Sequence, residues 1–188
     1  NKKKYNCLIS PKYYNITKNM LLQAYNTSFL DCSLPSPNDG WPNLYLDKYI
    51  NLYEKANILF DGYFKNIITN IQNHINKSKS IHLIKTGFSN LKNEDLNVFI
   101  KYYDNNLSHA HPDKLSIEVK YGNQFLTHDL STSGYGSNIS KEFYKKTYSH
   151  NTVVIDGQNQ SLDCISKVND YSDNFIDVEI KNAYQDCI

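Results

Sequence analysis

The hydrophobic period of this chain changes once, and that change divides it into a helical part followed by a strand-built part. Up to about residue 78, apolar residues recur three and four apart: Met20, Leu21, Ala24 and Tyr25; then Ile50, Tyr53, Ala56 and Phe60; then Phe64, Ile67, Ile68 and Ile71. This spacing lines one face of a helix. Asn15 or Thr17 is placed to cap the first helix and Asp47 to open the second, with Gly62 as an interruption. Between them, residues 31–42 hold three prolines and a glycine, which preclude regular structure.

After residues 77–80 the period becomes two. Leu96, Val98, Ile100 and Tyr102 alternate with polar neighbours, as do Leu115, Ile117, Val119 and Tyr121 ahead of a Gly-Asn turn. Residues 124–130, 152–155 and 175–180 are further strand candidates. Successive short strands without intervening helices predict an antiparallel sandwich, so the chain is α+β. The boundary falls within residues 79–90, giving a helical part over 1–80 and a β part over 81–188.

Four residues of the second half stand out: His109, His111, Asp129 and His150. Imidazole and carboxylate together suit a borderline-soft divalent cation such as zinc. If the strand at Leu115 extends back to them, His109 and His111, two apart, share a face. Asp129 would lie on the next strand and His150 just before another, so that neighbouring strands converge on one metal-supported site. The ordinary alternative for any one of them is a surface or satisfied core residue.

Composition narrows the field. Twenty basic and nineteen acidic residues leave a net charge of +1, without the basic field expected of a nucleic-acid binder or the acidic tail of a cation store. Every basic residue is a lysine. Heavy use of Asn, Lys, Ile and Tyr reads as an AT-rich, bacterial coding bias. The four cysteines (7, 32, 164 and 187) form no CxxC pair, which argues against a cysteine zinc site and assigns no disulfide. No apolar run approaches the roughly 18 residues of a membrane span.

Three runs carry a more specific likeness: His-Ala-His-Pro-Asp-Lys-Leu-Ser (109–116), Leu-Thr-His-Asp-Leu-Ser-Thr-Ser-Gly-Tyr-Gly (126–136) and Phe-Tyr-Lys-Lys-Thr-Tyr-Ser-His-Asn-Thr-Val-Val-Ile-Asp-Gly-Gln (143–158). Their order and spacing resemble the heparinase II/III-like polysaccharide lyases, whose pattern there is approximately HxHxDxL, DxGxxxY and YxxTxxHNTVxVDG. Residues 34–41 and 53–56 are similar to the last part of that family's helical domain. The resemblance implies the C-terminal end of an (α/α) toroid over residues 1–80 and the first part of an antiparallel β-sandwich over 81–188, a stretch that alone lacks a full cleft and is expected to be inactive.

The same resemblance implies β-elimination on a uronic-acid-containing glycan such as a glycosaminoglycan or alginate. It places the zinc ligands on His111, Asp129 and His150, and a cleft histidine on His109. Tyr135 and Tyr144 are the candidates for a sandwich tyrosine at the cleft, each with a core aromatic as its alternative reading. Asp129-Leu-Ser stands where the family reads Asp-Pro-Gly. Lys114 is the nearest cation, expected to be solvated. The implied partner is an acidic polysaccharide, and the implied location is the periplasm, the cell envelope or the exterior.

Two rivals remain. His111-Pro-Asp113 with His150 also has the spacing of a two-His-one-carboxylate iron oxygenase. Against it, residues 151–166 contain no cosubstrate-binding base. The other is a non-catalytic carbohydrate-binding module that keeps the sandwich. Identifying the metal separates the first from a lyase, and formation of unsaturated uronate separates the second.

Overall fold

The computed structural model describes residues 10–103 and 109–185. Its helical part comprises α1 (Pro11–Thr27), a 3-10 turn (Leu46–Tyr49), α2 (Ile50–Leu59) and α3 (Lys65–Gln72). The first helix starts earlier than Asn15. Ser10 accepts from the Lys12 amide at 3.3 Å and Pro11 occupies the first turn, where its missing N–H costs nothing. Gly62, at φ +85°, separates α2 from α3 as its position suggested. Tyr25, Cys32, Leu46, Tyr53, Ala56, Phe60, Phe64 and Ile71 form the buried core of this part. Cys32 and Cys164 are free thiols, and burial pushes Cys32 up to about 12, leaving it inert. Cys7 and Cys187 lie outside the described residues.

Strands follow: β1 (Ile81–Leu83), β2 (Phe88–Asn93), β3 (Leu96–Lys101), β4 (Ser116–Tyr121) and β5 (Gln124–Thr127), in one antiparallel sheet of that order. A second sheet is the hairpin β6 (Ile165–Ser172) with β7 (Phe175–Lys181). The α+β class holds. Four of the five expected strands are present with small shifts at their ends. Residues 152–155 are irregular instead, because side chains take up the backbone there: Thr152 Oγ1 donates to Lys114 O at 2.7 Å, and Ile117 N donates to Asn151 O at 3.1 Å.

The five-stranded sheet has an inverted appearance. Asn97 and Lys101 of β3, with Ser116, Glu118 and Lys120 of β4, point to the buried face, while Val98, Ile100, Ile117 and Val119 on the other face are only half-buried. The polar face is covered by residues 28–40, a strap that leaves α1 and crosses the strands. Leu30 N donates to Asn97 Oδ1 at 2.7 Å, and Ser36 N donates to Glu118 Oε1 at 2.9 Å. Lys120 Nζ pairs with Asp31 and reaches Ser33 Oγ at 2.8 Å, while Lys101 Nζ bonds both Asn38 and Asp113. Ion pairs this buried leave a costly charge behind when one partner is removed, so they specify where the strap lies. The β6–β7 hairpin is tied down beside the apolar face through Ser80 Oγ to Asp173 O at 2.6 Å and His82 Nε2 to Ser172 O at 2.9 Å.

Glu118 gives a test of this interface. Burial outweighs the hydrogen bond from Ser36 and pushes its carboxyl from 4.5 up to about 8. Its Oε2 lies 3.6 Å from His128 Nε2, beyond hydrogen-bond range, and burial lowers His128 in turn, so the two face each other as neutral groups. The folded chain holds a proton that the unfolded chain releases above its ordinary value. The stabilising contribution of Glu118 is therefore complete below pH 4.5 and lost as pH rises through about 8. Glu118→Gln is expected to match the parent in denaturant unfolding near pH 4.5 and to exceed it by about 1–3 kcal/mol at about pH 8.

Candidate functional site

At one end of the buried polar face the strap meets residues 109–114 and the loop that follows β5. None of the expected site residues lies on a strand. His109 sits in a turn, His111 in an irregular stretch, Asp129 two residues past β5, and His150 directly after the 3-10 turn Thr147–Ser149. Side-chain bonds hold these loops where a ladder was expected. Thr147 Oγ1 donates to Pro112 O at 2.7 Å and accepts from Gln160 N at 2.8 Å, which joins the His111 and His150 loops. Lys114 N donates to Gln160 Oε1 at 2.8 Å. Ser131, left-handed at φ +60° where a glycine would be at ease, donates its N–H to Asp129 Oδ1 at 2.7 Å and its hydroxyl to Gly40 O of the strap.

The site has two layers that share Asp39. In the outer layer His109 Nδ1 lies 2.9 Å from Asp39 Oδ2 and 2.8 Å from the Tyr135 hydroxyl, which also donates to Asp39 Oδ2 at 3.2 Å. His109 and Tyr135 are open to solvent, with the His109 side chain 63% exposed and Tyr135 71%. In the inner layer His111 Nε2 lies 2.9 Å from Asp39 Oδ1, His111 Nδ1 3.2 Å from His150 Nε2, and His150 Nδ1 2.9 Å from Asp129 Oδ2. All four inner groups are withdrawn from water.

Charge follows the geometry. Burial would raise Asp39, but hydrogen bonds from His109 and His111 outweigh it and hold the carboxyl below its ordinary value. Burial pushes His111 below the usual imidazole range against the hydrogen bond to Asp39. Desolvation and the Asp39 charge push the Tyr135 hydroxyl up, so it keeps its proton.

The inner chain is short of one positive particle. An ionised carboxylate only accepts, so Asp39 requires a proton on His111 Nε2 and Asp129 requires one on His150 Nδ1. With both rings neutral, His111 Nδ1 and His150 Nε2 then face each other as lone pairs at 3.2 Å. A proton or a cation belongs between them. Asp113, paired through Oδ1 with Lys101, keeps Oδ2 buried without a hydrogen-bond partner, and donor atoms of Asp113, Asp129 and His150 lie within 4.8 Å of one another. Two imidazoles with the carboxylates of Asp129 and Asp113, the latter carrying the orphaned oxygen, are a donor set that fits zinc.

The structure thus joins His109 to Tyr135, His111 to His150, and His150 to Asp129; among the described residues the group close enough to share one ion is Asp113, Asp129 and His150, with His111 outside it. Tyr144 lies elsewhere, on a π-helical turn (Ser140–Tyr144) with its ring 5.4 Å from Phe143, edge-on. Lys114 is buried rather than solvated. Asp39 and Asp113 were missed as site residues. Asp113 was visible only as part of a rival motif, and Asp39 only as one polar residue in a proline-rich break.

A family model, heparinase II/III-like, C-terminal, matches residues 76–174. The chain belongs to the heparinase II/III-like family. Strands β1–β6 and His111, Asp129 and His150 fall within the matched stretch, while β7 and Asp39 lie outside it. Solved structures of similar fold include a heparinase III gene product with methylated lysines (TM-score 0.73, 19% identity, 87% of this chain and 27% of that one). Others are a heparan sulfate lyase mutant from Pedobacter heparinus (0.72, 20%, 86% and 27%) and a heparinase III (0.66, 16%, 87% and 29%). At these identities the fold is what is shared, and the chain spans 27% of the length of the first two. No curated protein matches it.

The family's Thr-x-x-His spacing has a physical basis here, since Thr147 anchors the turn that ends at His150. Thr147→Val keeps the volume and removes both hydroxyl bonds. It is expected to lower unfolding stability by about 1–3 kcal/mol in denaturant titrations, as for a buried polar pair left unmatched.

Proposed function

We propose that the protein containing this chain is a polysaccharide lyase that cleaves uronic-acid-containing glycans by β-elimination. The observation that carries the reading is the exposed His109–Tyr135 pair anchored on Asp39, set against a buried histidine–carboxylate cluster. Membership of the heparinase II/III-like family, and a fold shared with heparinase III and a heparan sulfate lyase, support it.

The chemistry follows from the outer layer. With its Nδ1 proton on Asp39, neutral His109 presents the Nε2 lone pair outward as a base for the C5 proton of the uronate. The C5–H electron pair forms the C4=C5 double bond, the C4–O4 bond breaks, and O4 takes a proton. Tyr135, kept protonated beside Asp39, is the donor on hand. The charge that builds on the uronate carboxyl needs donors aimed at it. Without arginine, lysines, amides or residues beyond this chain must supply them. Trp41, 58% exposed near Gly134, offers a flat apolar face for a sugar ring.

Asp113, Asp129 and His150, with His111 beside them, would hold zinc, which when bound would supply positive charge to this buried cluster and brace the loops that carry His109 and Asp39. Residues 10–72 would then be the end of a helical toroid facing the sandwich across the cleft. Such an enzyme meets its polymer in the periplasm, at the cell envelope or outside the cell.

The test is ultraviolet detection of unsaturated uronate after incubating the full natural chain with heparan sulfate, chondroitin, hyaluronan or alginate. At least one should yield product, and His109→Ala should lower kcat by about a hundredfold or more. No product from any of the four, with folded protein, sinks the lyase reading. Separately, zinc at about a hundred times its Kd should stabilise the protein by about 2.7 kcal/mol in thermal or denaturant unfolding. The gain should vanish in His111→Ala and in His150→Ala.

A further inference from the structure

We infer that Asp39 is the positioning residue of this site, one carboxylate whose Oδ2 aligns the exposed pair His109 and Tyr135 while its Oδ1 aligns the buried His111. This rests on the lyase reading for its catalytic consequence, but not for its geometry.

Three observations converge on it. The first is the contact set: 2.9 Å to His109 Nδ1, 2.9 Å to His111 Nε2 and 3.2 Å to the Tyr135 hydroxyl, from a side chain only 6% exposed. An ionised carboxylate has no donor, so all three partners must give it a proton. The contacts assign the tautomer of each ring: His109 carries its proton on Nδ1, which faces Asp39 Oδ2 and the Tyr135 hydroxyl 2.8 Å away, and leaves Nε2 unprotonated. A free histidine exchanges tautomers and presents the reactive lone pair only part of the time.

The second is how Asp39 is itself held. On one side Asn38 Oδ1 accepts from Lys101 Nζ and, at 3.1 Å, from His111 N. On the other side Gly40 O accepts from the Ser131 hydroxyl. Asn38 is pinned to β3 and Gly40 to the loop after β5, so the carboxylate is fixed from both sides. The third is separation in sequence. Asp39 reaches His109 across 70 residues and Tyr135 across 96. The strap therefore delivers an orienting group to loops it does not belong to, as an outer carboxylate does for a metal-binding or catalytic histidine.

The test compares Asp39→Asn with the parent in the full natural chain. Asparagine has nearly the same shape but cannot accept from both rings and the tyrosine. If Asp39 positions, kcat falls by roughly a hundredfold while KM moves by less than about threefold. Carbethoxylation of His109 by diethyl pyrocarbonate, followed by peptide mass spectrometry, also slows several-fold, because that reagent attacks the unprotonated exposed nitrogen. An unchanged kcat, or a fall in kcat with unchanged labelling of His109, overturns the proposal in favour of a purely structural role. If the variant does not fold, nitrogen NMR of His109 in the parent decides, an Nδ1–H tautomer supporting the proposal and an Nε2–H tautomer overturning it. If the parent forms no unsaturated uronate, the lyase reading fails, and the labelling ratio alone still judges Asp39.

Discussion

The rest of the structure depends on the buried polar contact between the strap, residues 28–40, and one face of the five-stranded sheet. An antiparallel sheet normally buries its apolar face, but here β3 and β4 bury Asn97, Lys101, Ser116, Glu118 and Lys120. Those groups tolerate burial because the strap supplies Asp31, Asn38 and backbone amides at hydrogen-bond distance. A buried charge without its partner is expensive, so the pairing permits few alternative placements of the strap. Irregular in backbone, the strap is nonetheless held as firmly as a strand.

That placement makes the site. His109 and His111 come from the stretch before β4 and His150 from a turn beyond β5, but the group that aligns two of them comes from the strap. Asp39 ends up nearly buried, ionised and bonded to both layers at once. The inner layer then has its own constraint, because carboxylates at both ends of a two-imidazole chain consume both ring protons and leave facing lone pairs in the middle. A proton or a cation would satisfy those facing lone pairs. The outer layer differs: His109 meets Asp39 through Nδ1 while most of its ring stays open to solvent.

Much of this was legible in the chain. The 3.6-residue spacing of Tyr53, Ala56 and Phe60, the pause at Gly62 and the alternation of β3 and β4 are local properties, and each reappears where expected. Residues 152–155 were misleading because four apolar or β-branched residues suggest a strand, whereas Thr152 and Asn151 bond the β4 loop instead. Lys114 looked solvated because lysine usually is. Nothing in the sequence marks the partners that let it be buried. Asp39 was hidden for a related reason: in a Pro-Asn-Asp-Gly break an aspartate is an ordinary turn residue.

By itself, the order of residues determined the α-to-β division, the family and the spacing of His109, His111, Asp129 and His150, since periodicity and motifs are written within a few dozen neighbouring positions. Only the tertiary structure decided that the sheet buries its polar face, that Asp39 joins the site, that Tyr135 rather than Tyr144 sits beside His109, and which ring nitrogen faces which carboxylate. These depend on hydrogen bonds between segments 70 to 96 residues apart. Such bonds form only after the strap has been laid across the sheet, and no local pattern encodes where it will lie.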